Sequence, residues 1–132
     1  MSYKELADLI FPNAKEISYY EEKYPERNLP EGAIVTRYAP SPTGFMHIGG
    51  LYQALIAIKL AEQTKGVFFL RVEDTDQKRE IENGVEEIIS ALKKFGLEAD
   101  EGMTSSETEK GMYGPYKQSK RKEIYEAYAK SL

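Results

Sequence analysis

Between Arg37 and Gly50 the chain reads RYAPSPTGFMHIGG, and the residue types in it suit the holding of a phosphate. Ser41 and Thr43 carry hydroxyl donors, and His47 can donate from a ring nitrogen to an anionic oxygen. Pro40 and Pro42 stiffen a turn, while Gly44, Gly49 and Gly50 remove side chains so that a flat or bulky ligand can reach the backbone. A helix starting near His47 would turn unpaired N–H groups and about half a positive charge toward the same ligand. Neither the G-x-x-x-x-G-K-[ST] phosphate loop nor the G-x-G-x-x-G dinucleotide pattern is present. On residues alone the stretch reads as a site for a nucleotide phosphate, with a tight turn and a satisfied histidine as the alternative. A second group, the acids Glu73, Asp74 and Asp76 with Thr75 among them, follows the next apolar run. For Asp74 a turn residue and for Asp76 a helix N-cap are competing readings.

These groups need elements to position them. AIVTRY (33–38) is β-branched and bounded by Gly32 and Pro40, which predicts a strand. From His47 to Thr64 apolar residues fall on nearly every side, which predicts a helix buried against a sheet and closed by Lys65-Gly66. VFFLRV (67–72) is continuously apolar, as in a strand covered on both faces. Beyond EDTD, Ile81, Val85, Ile88, Ile89 and Leu92 mark a helix stripe with Lys93 and Lys94 at its end and Gly96 just past it. Residues 98–116 read as loop, and a last helix starts near Ser119. Strand, helix, strand, helix implies parallel strands, right-handed crossovers and a doubly wound α/β sheet. Ligands of such sheets sit beyond the carboxyl ends of the strands, where RYAPSPTG lies. Only two strands are legible, so the chain is expected to be the front part of a longer protein.

The first thirty residues read as an appendage. Ser2 and Glu5 form a capping box before Leu6, Leu9 and Ile10, and Pro12 ends that turn. EISYYEEKYPERNLPEG, broken by Pro25 and Pro30, reads as irregular structure. The 132 residues carry a net charge of -4 and no cysteine, so disulfides and thiolate metal sites are excluded and no overall basic signature appears. No signal peptide is written, and no apolar run approaches the ~20 residues of a membrane span. A cytoplasmic protein without membrane attachment is expected.

RYAPSPTGFMHIGG resembles, over its whole length, the first signature of class I aminoacyl-tRNA synthetases in the form R-[FY]-A-P-S-P-T-G-x-x-H-I-G-G of bacterial-type glutamyl-tRNA synthetases. FFLRVEDTD (68–76), LKKFGLEADEG and YGPYKQSKRKEIYEAYAKSL extend the resemblance across residues 33–132. It implies a Rossmann-like doubly wound parallel sheet, here truncated. Residues 33–132 would be the first half of the catalytic domain, and residues 1–32 an extension packed on it. The implied activity is ATP-dependent activation of glutamate to glutamyl adenylate, followed by transfer to tRNA(Glu).

The resemblance also distributes roles. Arg37 binds a carboxylate of L-glutamate, a task for a two-point guanidinium fork, with a surface salt bridge as the alternative. Ala39 and Ser41 contact the amino acid, and Glu73 holds its ammonium. Pro40, Ser41, Thr43, Gly44, His47, Gly49 and Gly50 receive ATP, with His47 as the catalytic group and Gly50 replacing the signature's second histidine. Asp74 and Thr75 lie near the tRNA acceptor end in the family, a reading held equal to the turn and cap readings. Mg2+ would arrive with ATP, without a protein metal site. KQSKR (117–121) looks like the second class I signature but comes too soon after His47. It reads instead as the family's Q-S-x-R segment, its charges forming a solvated helix face. Lacking the true second signature, the piece alone is expected to be a poor catalyst, its sheet edge open to self-association, whereas the whole enzyme would be a monomer. A truncated paralogue that binds ATP or glutamate is the alternative from a different class. Glutaminyl-tRNA and glutamyl-queuosine relatives are closer alternatives, and their motifs usually depart from this one.

Overall fold

Along the chain, α1 (Tyr3–Ile10) and α2 (Ile17–Lys23) precede β1 (Val35–Tyr38), α3 (Ile48–Thr64) and β2 (Val67–Leu70). Then come α4 (Gly84–Lys94), β3 (Glu101–Met103), β4 (Glu109–Lys110), a 3₁₀ turn (Gln118–Arg121) and α5 (Lys122–Ser131). The computed structural model describes residues 1–76 and 78–132. They cluster into two compact units, residues 28–119 and residues 1–27 with 120–132.

In the larger unit the sheet order is β1-β2-β3-β4. Strands β1, β2 and β3 are parallel, with Val35 opposite Val67 and Phe69 opposite Glu101, and β4 returns antiparallel to β3. The α/β class and the parallel crossovers expected from the sequence are the observed ones, and β4 makes the sheet mixed. Ala54, Ile58 and Ala61 of α3 and Val85, Ile88 and Leu92 of α4 share one core with Phe68 and Leu70. Alternation decides which β2 residues reach it: Phe68 and Leu70 are fully buried, while Val67 and Phe69 are half-buried. The uninterrupted run therefore does not mean equal cover on both faces.

Helix α3 departs from expectation in a related way. Only the side carrying Ala54, Ile58 and Ala61 is buried, and Ile48, Tyr52, Ile56 and Leu60, spaced four apart, form an apolar stripe in the open. Gly66 follows it because a Cβ there would collide with the Ile34 carbonyl oxygen. Helix α4 begins later than its stripe suggests, at Gly84, because the Ile81 N–H is taken by the Pro42 carbonyl at 2.9 Å. It ends as expected. Gly96 sits at φ 69, and its N–H and that of Leu97 bond the Lys93 and Leu92 carbonyls at 3.0 and 2.9 Å.

The region expected to be loop holds β3 and β4. Strand β3 is three residues long with glycine at its centre. Gly102 has φ 122, and a Cβ on it would strike the Leu70 carbonyl oxygen, so contact with β2 rather than local propensity makes the strand. Asp100 fixes the register: its carboxylate accepts the Phe68 N–H at 2.8 Å, and its own N–H donates to the Phe68 carbonyl at 2.9 Å.

The smaller unit confirms the Ser2–Glu5 capping box, with reciprocal bonds of 2.6 and 3.2 Å. The stretch after Pro12, expected to be irregular, contains α2. Its Tyr20 is buried with Ile124 and Ala127 of α5, and that packing overrides a polar, tyrosine-rich composition.

Candidate active site

Strand β1 delivers the chain into Ala39–Met46, and the two prolines there are anchored by their carbonyls. Pro40 accepts the Glu73 N–H and Pro42 the Ile81 N–H, each at 2.9 Å. Pro42 is fully buried, and Gly84 lies against it so closely that a Cβ would come within 2.9 Å of the Pro42 oxygen. The connection from β2 to α4 thus holds the proline loop in place from behind.

In front of the loop lies a cleft of about 680 Å³. Of the candidates for glutamate, Arg37, Ala39 and Ser41 line it. So do the nucleotide candidates Pro40, Thr43, Gly44, His47, Gly49 and Gly50. Glu73, Asp74 and Thr75 are not among the described residues that line it. Glu73 is tied to the cleft wall through its backbone bond to Pro40.

His47 is the N-cap of α3, and its Nδ1 accepts the Gly49 N–H at 3.1 Å. In the neutral ring the proton is therefore on Nε2, the donor left for a ligand. The N–H groups of Gly50 and Leu51 both go to the His47 carbonyl, at 3.0 and 3.2 Å. This narrows the expectation of a helix start rich in unpaired N–H groups: among the described residues the Ile48 N–H has no partner, and with it the helix dipole and the imidazole face an anion. The glycines answer to the protein as well as to a ligand. A Cβ at Gly49 would lie 2.9 Å from His47 Cε1, and one at Gly50 would lie 2.7 Å from Tyr38 Oη. Protein neighbours thus also keep both positions small, whereas a Cβ at Gly44 would face open space.

The acidic stretch divides. Asp74 is buried, and its carboxylate accepts the Ser119 N–H at 2.8 Å and the Ser119 hydroxyl at 2.6 Å, with Lys117 Nζ 3.9 Å away. Thr75 is exposed. Asp76 pairs with Arg79 at 2.6 Å, and the N-cap position of α4 belongs to Asn83, so Asp76 is not that helix's cap. Lys117 is likewise not part of a solvated helix face, because its stretch is drawn beside β2. Val72 donates to the Tyr116 carbonyl at 3.0 Å and accepts from the Gln118 N–H at 2.9 Å. Among the described residues, no cluster of three or more His, Asp or Glu could hold a metal ion.

Residues 33–132 match the family model described as tRNA synthetases class I (E and Q), catalytic domain. The chain belongs to that family. Among class I relatives, the glutamate–tRNA ligase of Clostridium beijerinckii is 59% identical over all of this chain and 24% of its own length. The mitochondrial glutamate–tRNA ligase of Schizosaccharomyces pombe is 43% identical over the same shares. A crystal structure of the glutamate–tRNA synthetase from Elizabethkingia anophelis superposes with a TM-score of 0.67 at 40% identity, covering 74% of this chain and 19% of that one. A second, from Elizabethkingia meningosepticum in complex with its amino acid, gives 0.66 at 40%. The chain spans about a quarter of the length of the curated relatives it matches. The similarity to the Clostridium protein includes residues 1–32, which lie outside the family-model match.

Sequence reasoning missed Tyr38 as a cleft residue. Burial pushes its phenol above the usual tyrosine value, so it stays a neutral hydroxyl at neutral pH. Its place at the end of β1 and as the second residue of the signature was the available signal. The Asp74–Ser119 pair joins residues 45 positions apart, and no local pattern announces it.

Proposed function

We propose that this chain forms the amino-acid and nucleotide half-site of a cytoplasmic glutamate–tRNA ligase. The convergence of Arg37, Ser41 and His47 on one cleft, in a chain whose relatives are glutamate–tRNA ligases, carries this reading. In the reaction the α-carboxylate of glutamate attacks the α-phosphorus of ATP, forming glutamyl adenylate and releasing pyrophosphate. The tRNA then takes the glutamyl group and AMP leaves. No proton need be abstracted in the first step, so alignment and charge stabilisation are what the residues must supply.

Because the α-carboxylate must stay free to attack, Arg37 holds the γ-carboxylate, with Ala39 and Ser41 beside the substrate and Glu73 on its ammonium. Glu73 must then turn its side chain toward the cleft that its backbone already adjoins. His47 Nε2–H donates to a phosphate oxygen at the positive end of α3. Mg2+ enters with ATP as part of the substrate. Of the two candidates for the tRNA acceptor end, Thr75 is the exposed one, and Asp74 acts by bracing the loop that carries it.

Arg37→Lys in the full-length ligase tests the assignment. Lysine keeps the charge and loses the fork, so the KM for glutamate in ATP–pyrophosphate exchange should rise about ten-fold or more while that for ATP is nearly unchanged. An unaltered glutamate dependence would remove Arg37 from the amino-acid site.

A further inference from the structure

Tyr38 is 92% buried, being 8% exposed, yet no described residue gives its hydroxyl a hydrogen bond. Its ring is buried but its oxygen is not among the fully buried unpaired atoms, so the hydroxyl meets solvent and is free to exchange that water for a ligand. The oxygen is not sealed in. Tyr38 lines the cleft, and its Oη stands 2.7 Å from where a Gly50 Cβ would be, beside the first turn of α3. With nothing but hydrogen on Gly50, the hydroxyl has room beside the backbone that lines the cleft. Burial keeps the phenol protonated, so it has a proton to give. The positive end of α3 draws anionic oxygen to the same place, and of its first-turn N–H groups those of Gly49 and Gly50 are already spent inside the protein, leaving that of Ile48.

We propose that the Tyr38 hydroxyl is a ligand-binding donor, giving its hydrogen bond to a phosphate oxygen of the nucleotide bound at the start of α3. It supplies from the floor of the cleft part of what the helix backbone does not. Gly50 is then glycine so that this hydroxyl has room. The inference rests on the proposed function for the identity of the anion, and on the unpartnered hydroxyl for the residue.

Tyr38→Phe in the full-length ligase is the test, because it keeps the packed ring and deletes one oxygen. Calorimetric titration with ATP should show about ten-fold weaker binding, as expected for a lost hydrogen bond to a charged group. In pyrophosphate exchange kcat/KM for ATP should fall by a similar factor, with the KM for glutamate unchanged at saturating ATP. The unfolding temperature should hold or rise, since no protein partner is orphaned. Unchanged ATP affinity overturns the proposal and makes the hydroxyl a packing group. A loss confined to glutamate overturns it by placing the amino acid there, and a fall in unfolding temperature overturns it by revealing a protein partner. The calorimetric arm uses ATP alone, so it decides on Tyr38 even if the wild-type protein shows no glutamate-dependent exchange and the ligase reading itself fails.

Discussion

With Nδ1 of His47 accepting the Gly49 N–H, the proposed function gives the two nitrogens of one ring separate tasks, one structural and one chemical. Two substitutions separate them. His47→Ala removes both, and should slow adenylate formation by about 10²- to 10³-fold while costing ~1 kcal/mol of helix capping. His47→Asn retains a good capping acceptor but does not reach as far, so stability should return without turnover. Exchange kinetics set beside thermal unfolding of the two variants reads this directly. Recovery of turnover by asparagine, or a rise in the KM for ATP alone, would show that Nε2 has no part in the transition state. The histidine's place at the head of a helix was legible in the sequence because glycine, isoleucine and the apolar run follow it. Its capping bond was not, since that depends on a side-chain angle rather than a spacing.

Between elements, the start of α4 and the turn joining β3 to β4 are linked by Glu86, whose carboxylate accepts the Ser106 N–H at 2.9 Å. Hydrogen bonds from the Ser106 side chain and backbone hold the Glu86 carboxyl below the usual glutamate value. A lowered folded-state value stabilises the fold fully above the unfolded value of about 4.3, and the contribution disappears as pH falls through the lowered one. Glu86→Gln should therefore be less stable than wild type near neutral pH, and the gap should close as the medium becomes more acid than about pH 4. Urea unfolding at a series of pH values checks this, and a gap that stays constant into acid would mean the carboxylate charge is irrelevant. At this scale the sequence spoke through periodicity. The stripe from Val85 to Leu92 and the Gly96 stop are where they were expected, because both are local. Strands β3 and β4 went unseen because Glu101-Gly102-Met103 has no strand propensity of its own and is shaped by the Leu70 backbone beside it. Helix α2 went unseen because its stability comes from Tyr20 meeting α5, far along the chain.

Across the molecule, the outer face of α3 departs from a finished surface, with Ile48 79% and Tyr52 62% exposed. Contiguous apolar surface of this kind associates in water. The 132-residue chain prepared by itself should bind an apolar fluorescent dye and sediment heavier as its concentration rises. Ile56→Glu with Leu60→Lys should suppress both. If the double variant behaves like wild type, the association runs along the open edge of β1 instead. The pinning of the proline loop has a consequence of another kind, for how this gene can change length. Glu73 and Ile81 are fixed points, each tied to a proline carbonyl, while Lys78, Arg79 and Glu80 between them are exposed. Extra residues inserted among those three only lengthen a loop whose ends are already closed, at a cost that grows logarithmically. One residue added between Pro40 and Pro42 would pull a peg from its hole. Descendants of this chain are thus free to grow on one side of the cleft wall and held to a fixed count on the other.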